Sequence, residues 1–318
     1  MIEFVVKKTT ELTKEEINQS LQLNNDVFKE QCSYETFMKR NTMNPFGYSY
    51  HTLMLVDNQV VGYDSGIPYY YTVNGEKVKA ICNIDTMISP KHRGLENFYD
   101  MLSTACKCFK EEGFAFVIGY PNDNAHPLLI GTRIMKDIGK MYTYCLPIRI
   151  GALKPKLRFL NWASLIFCKT WVSISYLFAS KKPHSFIIEK ELDSFNKLRY
   201  KQFETNYQFA SLNNGQVVFA IKDYQGIRTA FLIDVFPKSS RAFSEAAKYI
   251  IKAHQKEFDL ILYPGYLPFK NYGLFRIPRK YEPKNFNFTG MIFDKSIPKD
   301  VFYTISSWDT NLSNYDLI

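Results

Sequence analysis

The chain has 318 residues, 46% of them hydrophobic and 16% aromatic, enough for packed cores in one large or two ordinary domains, and this excludes a disordered chain. A formal net charge of +9 favours anionic partners, yet no Arg/Lys-rich run, zinc-ligand spacing or helix-turn-helix pattern accompanies it, so nucleic acid is set aside. The six cysteines are scattered without a C-x-x-C pair and residues 1–8 carry no signal-peptide pattern; both point to reduced thiols, a cytoplasmic location and no metal.

Residues 3–7 alternate like a strand. Thr13 as N-cap, with Glu15 and Glu16 in the first turn, opens a helix predicted over 14–24, and a second helix is predicted over 34–41. Residues 53–56, 60–73 and 77–89 read as an antiparallel meander with turns at Asp57-Asn58 and Asn74-Gly75. The stretch 84–97 follows a different logic. A strand ends at Ser89-Pro90, a basic turn contains Gly94, and a helix runs to about residue 112, which gathers backbone N–H groups and the positive end of a helix dipole in one place. A phosphate or pyrophosphate is expected on residues 91–96. Beyond lie a buried strand over 114–120, the loop Pro121-Asn-Asp-Asn-Ala-His-Pro, a helix to Asp137 and a strand over 142–146.

Residues 157–180 are apolar but interrupted by Arg158, Asn161, Lys169 and several serines, too often for a membrane span. A helix buried between two domains is expected, with a helix lying on a membrane surface as the alternative. Lys181-Lys182-Pro183 ends it and opens a second half that repeats the first in outline. Gln59-Val-Val is echoed by Gln216-Val-Val, Ile84-Asp85 through Pro90-Lys91 by Ile233-Asp234 through Pro237-Lys238, and Phe116 through Pro121 by Leu260 through Pro264. The second copy lacks the Arg-Gly step.

These residues resemble the GNAT (GCN5-related) N-acyltransferases. In that family a central strand ends in a turn of the form Gln/Arg-x-x-Gly-x-Gly/Ala whose amides hold the pyrophosphate of acyl-coenzyme A, matched here by Lys91-His92-Arg93-Gly94-Leu95-Glu96. The resemblance implies an α/β (α+β) fold of two tandem GNAT-like units with mixed sheets flanked by helices. Residues 1–150 would hold acyl-CoA, 151–183 would connect, and 184–318 would form a GNAT-like domain that binds the acceptor. It implies cofactor contacts at Lys91, His92, Arg93, Gly94, Leu95, Glu96 and Asn97, with Asn122 and Asn124 along the pantetheine arm, and an oxyanion donor on the backbone near Met87 or Ile88. Glu96 stands where the family prefers a small residue, and Leu129 where it often has a tyrosine acid.

The doubled arrangement and the ending from Ser307 to Ile318 are similar to bacterial enzymes that acylate nucleotide-linked deoxyamino sugars for surface polysaccharides such as O-antigen and capsule. That likeness implies acetyl-CoA or 3-hydroxybutyryl-CoA as co-substrate, a nucleotide-linked amino sugar as acceptor, no metal, and a monomer or small homo-oligomer. Another amine (protein lysine, polyamine or aminoglycoside) or a non-catalytic GNAT scaffold are the alternatives. For catalysis, Asp85 shares a period-two strand face with Asn83 and Met87 and is placed to hold the ammonium and take its proton, or else pairs with a neighbouring cation. Asn83 is a substrate hydrogen bonder or a plain strand residue, and His126 a base, an acid or a helix-entry residue. His51 reads as structural, and His92 as facing solvent or phosphate. Tyr71 and Trp308, from an exposed aromatic set with Tyr69, Tyr70, Trp162 and Tyr266, are expected to stack base or sugar. Asp309 and Asp316 are expected to bind sugar hydroxyls or the ammonium, or to be solvated charges.

Overall fold

Strand β1 (Ile2–Lys8) leads into helix α1 (Lys14–Phe28), which starts in a capping box. Thr13 Oγ1 accepts from the Glu16 N–H at 3.2 Å, and the Glu16 carboxylate accepts from the Thr13 N–H at 2.8 Å. Ser33 caps α2 (Tyr34–Thr42) in the same manner, its hydroxyl accepting from the Thr36 N–H. The meander follows as β2 (Tyr50–Val56), β3 (Gln59–Val73) and β4 (Glu76–Ile88). Its two turns put Asp57, Asn58, Asn74 and Gly75 in the left-handed region, as two-residue hairpins require. Next come α3 (Leu95–Glu111), β5 (Phe116–Gly119), α4 (Ala125–Gly131) and β6 (Lys136–Pro147). The fourth helix thus stops short of Asp137, because Arg133 turns the chain with a φ of 61° and the strand has begun by Lys136.

The remaining elements are α5 (Ile150–Leu153), α6 (Asn161–Phe178), β7 (Ile188–Lys190), α7 (Leu192–Gln202), β8 (Gln208–Leu212), β9 (Gly215–Tyr224), β10 (Ile227–Phe236), α8 (Ser240–His254), β11 (Leu260–Gly265), β12 (Phe275–Arg276), β13 (Phe286–Ile292) and α9 (Lys299–Phe302). The computed structural model describes residues 1–29, 31–202, 205–270 and 272–315.

Two compact units result, neither contiguous in sequence. The first comprises Met1–Lys140, Ile187–Glu204 and Phe286–Trp308; the second comprises Met141–Phe186, Thr205–Asn285 and Asp309–Ile318. Boundaries at 150 and 184 therefore do not describe the division: the first unit draws β7, α7, β13 and α9 from the half expected to be separate.

In the first unit the strands lie in the order β1-β2-β3-β4-β5-β13, antiparallel except for β4 and β5. Alternation along the strands sends Leu53, Tyr63 and Met87 into a cluster with Ile17, Leu23 and Phe37 of α1 and α2. Ile81 and Val117 point into a different cluster with Leu102, Cys106 and Phe109 of α3. A Cβ on Gly66 would lie 2.6 Å from Phe109 Cζ and 2.9 Å from Ile81 Cγ2, so α3 rests directly on the β3 backbone. A third cluster joins Phe116, Phe288, Phe302 and Trp308.

In the second unit the order is β6-β11-β10-β9-β8, with β10 parallel to β11 and α8 between them in sequence. Its core packs Phe243, Ala246 and Ile250 of α8 against Val217, Phe219, Leu232 and Ile261. The succession β9-β10-α8-β11 repeats β3-β4-α3-β5, in agreement with the sequence echoes. Both central strands also carry an irregularity, between Ile84 and Met87 in β4 and between Leu232 and Asp234 in β10. Helix α6 packs Cys168 and Val172 into this core but leaves its opposite face exposed, so the expected enclosure is not seen. No helix among the described residues is long and apolar enough to cross a membrane.

Candidate functional site

The parallel ladder between β4 and β5 runs from Ala80↔Phe116 to Asn83↔Gly119, where β5 ends. Strand β4 continues to Ile88 while the other chain leaves through Pro121. The two strands therefore part, and a cavity of about 650 Å³ opens where they do. Its wall comprises Val27 and Phe28 of α1, Thr86, Met87 and Ile88 of β4, Arg93, Gly94, Leu95 and Phe98 at the start of α3, and Asn122, Asn124, Ala125 and Leu128 at the start of α4.

Each wall is held by local chemistry. Asn122 Oδ1 accepts from the N–H groups of Asn124 at 3.0 Å and Ala125 at 2.9 Å, which fixes the loop into α4. At the other helix, Pro90–His92 form a single 3-10 turn and Gly94 is the N-cap of α3. Three side chains brace that turn: Ser89 Oγ bonds His92 Nδ1 at 2.8 Å, Asn97 Nδ2 donates to the His92 carbonyl at 2.8 Å, and Arg93 Nε donates to the Ile88 carbonyl at 3.1 Å. Gly94 brings no side chain to cap the first-turn amides, and a Cβ built on it meets nothing within 4 Å. Its φ of 177° is extended backbone, so neither packing nor conformation demands glycine there. The residue is small where the cavity needs room for a ligand at a helix N-terminus.

The corresponding helix of the second unit is closed. Ser239 caps α8 by accepting from the Ala242 N–H at 3.2 Å, and Lys238, Ser239 and Ser240 are buried. Of the two strand-turn-helix segments, the one at Gly94 has an uncapped, exposed N-terminus.

Met87, Ile88, Arg93, Gly94, Leu95, Asn122 and Asn124 thus line one cavity, while Lys91, His92, Glu96 and Asn97 belong to the adjoining turn and helix start without lining it. Glu96 is exposed in the first turn of α3, where a carboxylate is favoured by the helix dipole. Leu129 is a core residue packed in the α3 cluster.

The expected catalytic face of β4 requires correction. Three steps of β4 from Ile84 to Met87 oppose two of β3 from Ser65 to Tyr63, and Asp85 adopts a φ of 55°. This bulge breaks the period of two. Asn83 points to the α3 side, its Nδ2 donating to both carboxylate oxygens of Asp64 at 2.8 and 2.7 Å. Asp85 points to the α2 side and forms an ion pair with Arg40. His126, expected beside the reacting centre, bonds Asp137 through Nε2 at 2.7 Å. Asn83, Asp85 and His126 are not among the residues of the cavity wall.

Sequence reasoning missed Asp64, which has no solvent exposure and lies beneath the bulge. It accepts from Thr86 Oγ1 at 2.6 Å, and Thr86 is on the cavity wall. Burial raises the Asp64 pKa to about 6 against the opposing bonds from Thr86 and Asn83. The available sign was an acid in the middle of the strand run Gly62-Tyr-Asp-Ser-Gly-Ile67, where no other charge occurs. His51 is fully buried, bonded to Thr9 Oγ1 and the Tyr63 hydroxyl at 2.8 Å each, and burial followed by the Arg40 charge lowers its pKa to about 3.

The expected acceptor residues also stand elsewhere. Tyr71 and Trp308 are each 1% exposed; they pack with Phe116, and Trp308 Nε1 donates to the Phe302 carbonyl at 2.7 Å. They are core residues, as is Tyr69. Asp309 is buried in the second unit and pairs with Lys238 at 3.1 Å, while Asp316 lies outside the described residues. Lys238 also pairs with Asp234, and the two carboxylates outweigh burial to raise its pKa.

Residues 8–127 match the sequence profile of the acetyltransferase (GNAT) domain. No curated protein matches the chain. Among solved structures, a GCN5-related N-acetyltransferase from Anabaena variabilis is 12% identical with a TM-score of 0.58, over 91% of this chain and 73% of that one. A GCN5-related N-acetyltransferase from Kribbella flavida is 10% identical with a TM-score of 0.58, over 92% and 72%. Eis1 from Mycobacterium abscessus is 12% identical with a TM-score of 0.52, over 91% and 74%. At such identities the likeness concerns the fold, and it covers nearly all of this chain. Residues 8–127 are thus a GNAT acetyltransferase domain built around the parted strands β4 and β5, and that domain supports an N-acyltransferase activity.

Proposed function

We propose that the cavity between β4, α3 and α4 binds acyl-coenzyme A and that the chain transfers its acyl group to the amino group of a nucleotide-linked deoxyamino sugar, in the cytoplasm. The single observation that carries the cofactor reading is Gly94: an uncapped helix N-terminus at the cavity wall with open space where any other side chain would stand. The first-turn amides of α3 and the helix dipole would hold the pyrophosphate, with Lys91 and Arg93 adding positive charge beside it. Phe28, Leu95, Phe98 and Leu128 would wall the acyl arm, an apolar lining that excludes water from the thioester. Acyl-coenzyme A would supply the activated thioester when bound.

The acceptor nitrogen forms a bond to the thioester carbonyl carbon, the C–S bond breaks, and the proton lost by the nitrogen balances the departing thiolate, so that coenzyme A leaves as the free thiol and the amide remains. The residues of this chain position that attack through the cavity edge of β4, where Thr86 is fixed by Asp64. A nucleotide sugar as acceptor rests on the resemblance described above and on the net charge of +9, which draws anions and disfavours polycationic amines.

Thiol release from acetyl-CoA and 3-hydroxybutyryl-CoA is the measurement, with thymidine and uridine diphosphate amino sugars as acceptors. Turnover with these and none with polyamine, aminoglycoside or lysine peptide is expected. Coenzyme A should also raise the melting temperature of the wild type, and less so for Arg93→Ala. Turnover confined to another amine would overturn the acceptor reading; the absence of any coenzyme A effect on melting would overturn the cofactor reading.

A further inference from the structure

Helix α6 is apolar on both sides, and one of them faces solvent. Trp162, Ile166, Phe167, Ile174, Leu177 and Phe178 are 68, 57, 57, 45, 70 and 74% exposed. Their spacing puts them on the side opposite Cys168, Val172 and Ser175, which are buried. The stripe runs about 24 Å at the rise of an α-helix. The sequence on either side of it has one sign of charge. Residues 138–188 contain no Asp or Glu, while Lys154, Lys156 and Arg158 before the helix, Lys169 at the edge of the stripe, and Lys181 and Lys182 after it are all exposed.

We propose that this face of α6 docks the protein onto an anionic lipid surface. A helix with an exposed Trp/Phe/Leu stripe flanked by lysines lies in the headgroup region, apolar side down, with its cations at the phosphates. The charge pattern argues against the other ways of covering the face. A second copy packed across a twofold axis would set these six cations against themselves with no acid among them. A span is ruled out by the helix itself, which is not apolar enough over its 18 residues. The inference does not depend on the acceptor assigned above.

The test is flotation of the full chain with vesicles of phosphatidylcholine alone or mixed with phosphatidylglycerol. Binding to the anionic vesicles is expected, falling as salt is raised. Of the three tryptophans, Trp308 is buried and Trp171 half-buried, so a blue shift of the emission on binding reports Trp162. The double variants Leu177→Glu/Phe178→Glu and Lys181→Glu/Lys182→Glu should each lower binding by about tenfold or more. All four side chains are exposed, so both variants should melt like the wild type, as followed by circular dichroism. No binding to either vesicle would overturn the proposal, as would binding that both variants retain. A dimer in light scattering that Leu177→Glu/Phe178→Glu dissociates would also overturn it, by showing that a second copy covers the face.

Discussion

Gly94 at the cavity wall and Asp64 beneath the bulge of β4 each make a separate prediction. Because nothing lies within 4 Å of a Cβ at Gly94 and its φ is 177°, Gly94→Ala should fold and melt as the wild type does. On the proposed reading a methyl group at this cavity-wall position crowds the pyrophosphate, so coenzyme A affinity should fall about tenfold or more. Isothermal titration beside a thermal melt separates the two; a variant that loses stability instead would make the glycine structural. Asp64 is held protonated to about pH 6 by burial, where an ordinary Asp ionises near 3.8. A raised carboxyl pKa adds stability that is fully present below pH 3.8 and is lost as pH rises through about 6, on the order of 3 kcal/mol. Asp64→Asn has no such proton to lose. Denaturant midpoints of wild type and variant should therefore diverge between pH 4 and 7, the wild type declining; parallel curves would refute it.

At the scale of elements, the parts legible in the sequence were those fixed by local chemistry. The N-cap at Thr13, both hairpin turns and the basic turn before α3 were read from adjacent residues, and the strands of the meander followed from alternation. The face of β4 was not legible beyond Ile84. A bulge shifts the register by one residue, and in this strand it is stabilised from other elements, by Arg40 on Asp85 and by Asp64 on Asn83 and Thr86. Alternation carried through the bulge put Asn83 and Asp85 on one face, where they are on opposite ones. Tyr71 and Trp308 were misread for a related reason: both are buried against Phe116, remote in sequence from each. A further element-scale expectation concerns α3, which rests on the backbone at Gly66. Gly66→Ala must displace Phe109 or Ile81 and should cost about 1–3 kcal/mol in urea denaturation. An unperturbed midpoint would mean that α3 adjusts freely.

For the whole molecule, the duplicated order of strands and helix was visible as thin echoes, but the division into units was not. The acid-free, apolar stretch within residues 138–188 draws the eye to a boundary there, and a reader of the sequence has no reason to assign residues 286–308 to the first unit. Strand β13 nevertheless pairs with β5, from Thr289↔Gly119 to Ile292↔Phe116, and Trp308 packs on Phe116 at 5.4 Å between ring centroids. A fragment of residues 1–150 should consequently be poorly soluble and lack a cooperative melt, although it contains the whole GNAT profile match. Well-dispersed amide spectra from that fragment would contradict this. The pairing also sets a timetable for synthesis. At about 5–20 residues per second, β5 leaves the ribosome on the order of ten to thirty seconds before its second neighbour exists. Throughout that interval a nascent chain carries an open strand edge, a template for pairing with other chains, until residue 292 has emerged.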